Sequence, residues 1–166
     1  GPYYGLDFGF ANDPTAAVKL WIHDKKLYVE HEAYKVGLEI DDTSEYLKKH
    51  VPGIEKHTCR ADNARPETIS YLKRKGLPRI KPCEKGKGSV EDGIEYIRSF
   101  DKVIIHPRCK NTAKEFRLYS YKTDRQTEDI LPVPLDAYNH AIDAMRYALE
   151  PAMKRRGLKL KPDILR

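Results

Sequence analysis

Apolar and polar positions along this chain alternate first with the period of strands and then with that of helices. Tyr3-Tyr4-Gly5-Leu6-Asp7-Phe8-Gly9-Phe10 reads as a buried strand ending in a carboxylate, followed by a turn over residues 9–13. From Ala16 to Ile22 a second apolar run follows, and His23-Asp24-Lys25-Lys26 forms a turn. In the next strand Leu27, Val29 and His31 alternate with Tyr28, Glu30 and Glu32. Three strands joined by short turns predict an antiparallel meander.

Helical spacing then takes over. Asp41-Asp42-Thr43-Ser44 signals a helix start, with Tyr46 and Leu47 opening an apolar face that must stop before Pro52-Gly53. A short strand over residues 57–61 ends at Asp62, and Pro66 suits the first position of a second helix that runs to Gly76. Residues 79–82 predict another strand. After the basic loop Glu84-Lys85-Gly86-Lys87-Gly88, Ser89 is expected to cap a third helix carrying Val90, Ile94 and Ile97. A strand over 102–106, a short helix over 110–118 and a hairpin around Thr123-Asp124-Arg125-Gln126 follow. Pro132-Val133-Pro134 precedes a last helix expected from about Asp136 to Lys154. This order predicts an α/β domain with a mixed sheet flanked by helices.

Composition narrows the class. With 166 residues, 34% charged and 40% hydrophobic, the chain fits one globular domain. No apolar run approaches a membrane span, and no signal pattern opens it. Gly1-Pro2 has the form of a protease-cleavage scar, which would make the chain a fragment of something larger. The expected layout is a domain over 3–153 and a mobile basic tail over 154–166. Cys59, Cys83 and Cys109 form no C-x-x-C pair, so neither a zinc site nor a disulfide framework is expected, and a reducing compartment is. The net charge of +6 sits mostly in the tail, which carries six basic residues and one acidic. A polyanionic partner suits such a tail, and so does simple solvation.

Candidate chemistry centres on Asp7. A carboxylate in an apolar aromatic strand must be paired, hydrogen-bonded or bound to a metal. Its plainer reading is a cap on the backbone amides of the 9–13 turn. Asp62 ends another strand, and strand ends on one side of an α/β sheet share a crevice. If the two strands are neighbours, the carboxylates converge, and a hard divalent cation such as Mg²⁺ relieves their repulsion. On the closing helix His140 and Asp143 share a face with Ala144 and Tyr147, opposite an apolar stripe of Ile142, Met145 and Leu149. Taken singly, His140 reads equally as a surface residue, and Asp143 could pair with Arg146 or Lys110. Taken with Asp7 and Asp62, they read as a metal site.

Four stretches carry a resemblance to a known family. Gly5-Leu6-Asp7-Phe8-Gly9-Phe10 with Asn12-Asp13-Pro14-Thr15-Ala16 is similar to the opening strand of the nuclease domain of large terminase subunits from tailed double-stranded DNA phages. Asp62-Asn63-Ala64-Arg65-Pro66-Glu67 resembles the second motif, residues 87–94 a basic loop and helix, and residues 140–147 the closing motif. The resemblance implies an RNase H-like (retroviral-integrase-like) fold and Mg²⁺- or Mn²⁺-dependent cleavage of double-stranded, concatemeric viral DNA during packaging. It implies Asp7, Asp62 and Asp143 as ligands of two ions about 3.5–4 Å apart, with Asp7 bridging, and His140 at a further polar position. Arg65, Lys85 and Lys87 are the candidate phosphate contacts. The family's ATPase motor is absent, and Lys85-Gly86-Lys87-Gly88-Ser89 is not a Walker A loop. Implied partners are that ATPase domain, the small terminase subunit and the portal, in the cytoplasm of an infected host and outside the virion. The rivals are another RNase H-like nuclease, such as a junction resolvase or transposase core, and a non-catalytic DNA-binding or packaging module.

Overall fold

A computed structural model describes residues 1–119, 121–123, 130–134 and 138–156. Three strands open the chain: β1 (Tyr3–Asp7), β2 (Pro14–His23) and β3 (Lys26–Val36). Then come α1 (Ile40–His50), β4 (Cys59–Ala61), α2 (Pro66–Arg74), β5 (Ile80–Pro82), α3 (Ser89–Arg98), β6 (Lys102–Ile105) and α4 (Lys110–Leu118). A small pair, β7 (Tyr121–Thr123) and β8 (Ile130–Pro134), precedes α5 (His140–Ala148), and a further helical stretch covers 150–156. The main sheet has the order β5-β4-β1-β2-β3-β6. β1, β2 and β3 form the antiparallel meander, while β4 and β5 run parallel to β1, and β6 parallel to β3. The sheet is therefore mixed, as the element order predicts.

Each face of the sheet carries its own apolar cluster. Tyr4, Leu6 and Ala17 meet Leu47 of α1 and Ile69 and Leu72 of α2. On the other face Val18, Leu20 and Leu27 meet Ile94 of α3 and Met145 of α5. A bulge complicates the alternation of β3. His31 pairs with Lys19 and Val29 with Leu20, so Glu30 is an extra residue. Beyond it the side chains change faces, which turns Glu32 and Tyr34 toward α4.

The third and the last helices differ from the sequence reading. Gly88, with φ of 77°, takes the N-cap position of α3, and Ser89 is its first helical residue. Glycine enters this left-handed region without the steric cost that a serine would carry. The last helix starts at His140, four residues later than expected, and is interrupted at Leu149. It is also not amphipathic: Ala141, Ala144, Arg146 and Tyr147 are buried along with Ile142 and Met145, because α3, α4 and the sheet enclose it. β7 and β8 pair antiparallel, while residues 124–126 of the expected hairpin turn and 157–166 of the basic tail lie outside the described residues. All three cysteines are buried free thiols, and no described helix is long and apolar enough to cross a membrane.

Candidate metal and nuclease site

The parallel pairing of β1 and β4 sets Leu6 beside Ala61, and the Asp62 N–H donates to the Leu6 carbonyl at 3.0 Å. Asp7 and Asp62 thus leave adjacent strands at the same end of the sheet. The Cys83 N–H donates to the Ala61 carbonyl at 2.7 Å, so the chain leaving β5 runs beside Asp62 and delivers Lys85. Lys85 Nζ lies 2.6 Å from Asp62 Oδ1, which also accepts the Ala64 N–H at 2.9 Å.

Gly5 brings in the third element. A β-carbon there would stand 1.8 Å from the Ala144 carbonyl oxygen and 2.8 Å from the Ala148 nitrogen. Only glycine lets α5 lie this close to β1. Gly5 and Asp7 are two apart in β1 and share a face, so the same approach carries His140 and Asp143 to Asp7. His140 Nδ1 lies 3.4 Å from Asp7 Oδ2, and its Nε2 lies 3.5 Å from Asp13 Oδ1. Arg146, buried in the same helix, donates to Asp143 Oδ1 at 2.9 and 3.2 Å and to the Ser89 carbonyl at 3.4 Å. Gly93 makes room for it: a β-carbon there would stand 2.6 Å from Arg146 Cδ.

The turn-cap reading of Asp7 fails on this geometry. The Gly9 N–H donates to Thr15 Oγ1 and the Asp13 N–H to the Phe10 carbonyl, which leaves Asp7 facing His140. Asp7 is 7% exposed. Its carboxyl is pushed up to about 6, by burial first and then by the charges of Asp143 and Asp62, with the His140 hydrogen bond pulling the other way. Burial likewise raises the Asp143 carboxyl, against Arg146. His140 is raised, chiefly by its bond to Asp7. The Tyr147 phenol is raised by burial first and then by Asp143, Asp7 and Asp62 in turn, so one ring feels all three carboxylates.

Among the described residues no three His, Cys, Asp or Glu side chains already stand around a common point closely enough to hold a metal ion. Each carboxylate is turned instead toward a basic side chain: Asp62 to Lys85, Asp143 to Arg146 and Asp7 to His140. The donor set itself suits a hard divalent ion, being three carboxylates whose mutual repulsion a cation relieves.

The candidate DNA contacts are less uniform. Lys87 is exposed in the loop that leads into α3. Arg65 lies with its guanidinium 4.7 Å from the centroid of Phe10, an aromatic ring 68% exposed beside the site. Lys85 is half-buried on Asp62 and lies 5.5 Å from the centroid of Tyr147. Reading the sequence missed that pairing, and with it Gly5; of the two partners it offered for Asp143, Arg146 and Lys110, the structure selects Arg146. A glycine inside an apolar strand was the available signal for Gly5, and the i,i+3 spacing from Asp143 the one for Arg146.

The model of the terminase RNase H-like domain family matches residues 7–151. Among curated proteins, the terminase large subunit of Bacillus phage SPP1 is 37% identical over 161 residues, covering 94% of this chain and 37% of that protein. The PBSX phage terminase large subunit of Bacillus subtilis (strain 168) is 29% identical over 151 residues, covering 88% and 33%. The chain thus spans about a third of the length of these relatives. Among solved structures, the large terminase nuclease domain of bacteriophage SPP1 with bound Mn has a TM-score of 0.84 at 33% identity, covering 92% of this chain and 86% of that one.

Proposed function

The chain belongs to the terminase RNase H-like domain family, and on that basis we propose that it is a metal-dependent endonuclease that cuts concatemeric double-stranded viral DNA during genome packaging. The observation that carries this reading is the meeting of Asp7 and Asp62 at adjacent strand ends with Asp143 brought over them by the Gly5 approach. Mn is bound in the SPP1 nuclease domain, a relative of closely similar fold.

Asp7, Asp62 and Asp143 would hold the divalent ions, Mg²⁺ or Mn²⁺, and such ions would supply activation of the attacking water and stabilisation of the leaving 3′ oxygen. The chain's own residues do the rest. His140, held between Asp7 and Asp13, orients the water. Lys85 neutralises Asp62 before metal arrives, and on release from that carboxylate its ammonium becomes available to a phosphate. Arg65 and Lys87 add sequence-independent phosphate contacts. An acidic cleft repels DNA until cations fill it, so binding by the metal-free chain is weak. In the whole protein this unit follows an ATPase domain and works with the small terminase subunit and portal in the host cytoplasm, outside the virion. Residues 3–153 form the nuclease unit, and the basic tail over 154–166 adds positive charge for a polyanionic partner.

Supercoiled plasmid, a four-way junction and an RNA–DNA hybrid, each with Mn²⁺ or with chelator, test the reading. Mn²⁺-dependent cleavage of the plasmid is expected. Preference for the junction would favour a resolvase, and no cleavage under any divalent ion a non-catalytic module. For the phosphate contacts, Lys87→Ala is expected to lower DNA affinity uniformly across sequences. It should also reduce the slope of log affinity against log salt by about 1. An unchanged slope would return Lys87 to a solvated loop.

A further inference from the structure

The buried groups that this chemistry leaves unused lead to α4. Glu115 is 1% exposed, the most deeply buried carboxylate among the described residues. One of its oxygens accepts the Tyr34 hydroxyl at 2.8 Å and the His140 N–H at 3.1 Å; the other accepts the Ile142 N–H at 3.0 Å. The first-turn amides of a helix have no partner within it and are commonly satisfied by the N-cap side chain. The N-cap of α5, Asn139, makes no such bond, and its side-chain amide donates to Asp143 at 3.3 Å instead. A carboxylate from another helix supplies the cap, with the sign of charge that the helix dipole favours.

The support continues one element further. Glu32 of β3 accepts the N–H groups of Asn111 and Thr112 at 3.1 and 2.8 Å, together with the Asn111 amide and the Thr112 hydroxyl. It thereby pins the start of α4 to the sheet. Tyr34, also on β3 beyond the Glu30 bulge, braces Glu115 from the same side. A continuous set of bonds thus runs from β3 through α4 to the first turn of α5. That turn carries His140, which faces Asp7, and leads directly to Asp143.

We propose that Glu115 is a positioning residue for the site, a cap lent by α4 that fixes the first turn of α5 so that His140 and Asp143 meet Asp7. The role of the positioned residues rests on the nuclease reading; the anchoring of α5 does not. In Glu115→Gln the shape is kept, but the charge is lost and an NH₂ group is set against amide donors. Partners behind metal ligands typically change metal affinity 10–100-fold when removed.

Amide hydrogen exchange and Mn²⁺ titration calorimetry on the 166-residue chain test this, with Leu72→Ala as the control for lost stability. Leu72 lies in the cluster on the opposite face of the sheet. In Glu115→Gln, exchange at His140, Ala141 and Ile142 is expected to quicken at least tenfold relative to β1. Mn²⁺ affinity should fall about tenfold, while Leu72→Ala changes neither quantity as much. Tyr34→Phe, which removes one brace and little volume, should weaken Mn²⁺ about threefold and carries the test if Glu115→Gln does not fold. Wild-type exchange in Glu115→Gln would overturn the proposal, as would effects no larger than those of Leu72→Ala. Faster exchange with unchanged Mn²⁺ affinity would also overturn it, leaving a cap with no bearing on the site. A wild-type chain that bound no Mn²⁺ would count against the nuclease reading, and the exchange data would still decide the anchor.

Discussion

Asp7→Asn is expected to abolish Mn²⁺-dependent cleavage, by on the order of 10³-fold or more, while making the metal-free domain more stable at neutral pH. The two effects share a cause. Asp7 is buried among like charges, which pushes its carboxyl up to about 6. An acid whose folded pKa lies above its unfolded value favours the fold only while protonated. As pH rises from about 4, the unfolded chain releases this proton first, so stability falls through about pH 6 and stays lower above it. The raised His140 adds to the same trend, since its share of stability is present below its unfolded pKa and lost as pH rises through the folded one. For Asp7 alone the penalty at pH 7.5 is on the order of 1–3 kcal/mol.

Asparagine has the same shape without the charge, so in chelator the variant should melt higher than wild type at pH 7.5 and level with it near pH 4. Saturating Mn²⁺ should reverse the order. A ligand at 100 times its Kd contributes about 2.7 kcal/mol to wild type, and far less to a variant lacking the shared carboxylate. Thermal melts at pH 4 and 7.5, with and without Mn²⁺, check this. A variant less stable than wild type in chelator at pH 7.5 would mean that Asp7 is a structural partner of His140 rather than a held-open ligand.

Gly5→Ala is expected to be the most damaging single-methyl change in the chain. The added carbon would meet backbone, the Ala144 carbonyl oxygen at 1.8 Å, and backbone cannot rotate away as a side chain can. Overpacking of this kind costs about 3 kcal/mol or more, which for a domain of this size lowers the melting temperature by roughly 6–12 °C. Any relief must move α5 off β1, and α5 carries His140 and Asp143. Cleavage should therefore fall even at temperatures where the variant is fully folded. A folded Gly5→Ala with wild-type activity would mean that the site tolerates displacement of α5.

Much of this was legible in the sequence because it is written in local periodicity. Asp7 and Asp62 could be placed at strand ends since each strand is marked by its own apolar run and turn. Asp143 could be joined to them once the closing helix was read. What stayed hidden depends on long-range packing. The Glu30 bulge leaves no compositional mark, yet it decides that Glu32 and Tyr34 face α4. Glu115 sits in a helix of mixed polarity, where nothing distinguishes a buried carboxylate from a solvated one until α5 is laid against it. Lys85 reads as a loop cation suited to phosphate; its pairing with Asp62 follows only from β5 lying beside β4. The expected amphipathic face of the last helix failed for the same reason, since a helix enclosed on all sides has no polar face to show.

The central claim is that Asp7, Asp62 and Asp143 form one divalent-metal site. Crystals of the chain soaked in Mn²⁺ and measured at the manganese absorption edge test it most directly. The predicted result is anomalous density bonded to carboxylate oxygens of all three residues, with Lys85 Nζ withdrawn from Asp62. Manganese bound elsewhere, or a site that stays empty with the Lys85–Asp62 and Arg146–Asp143 pairs intact, would contradict it.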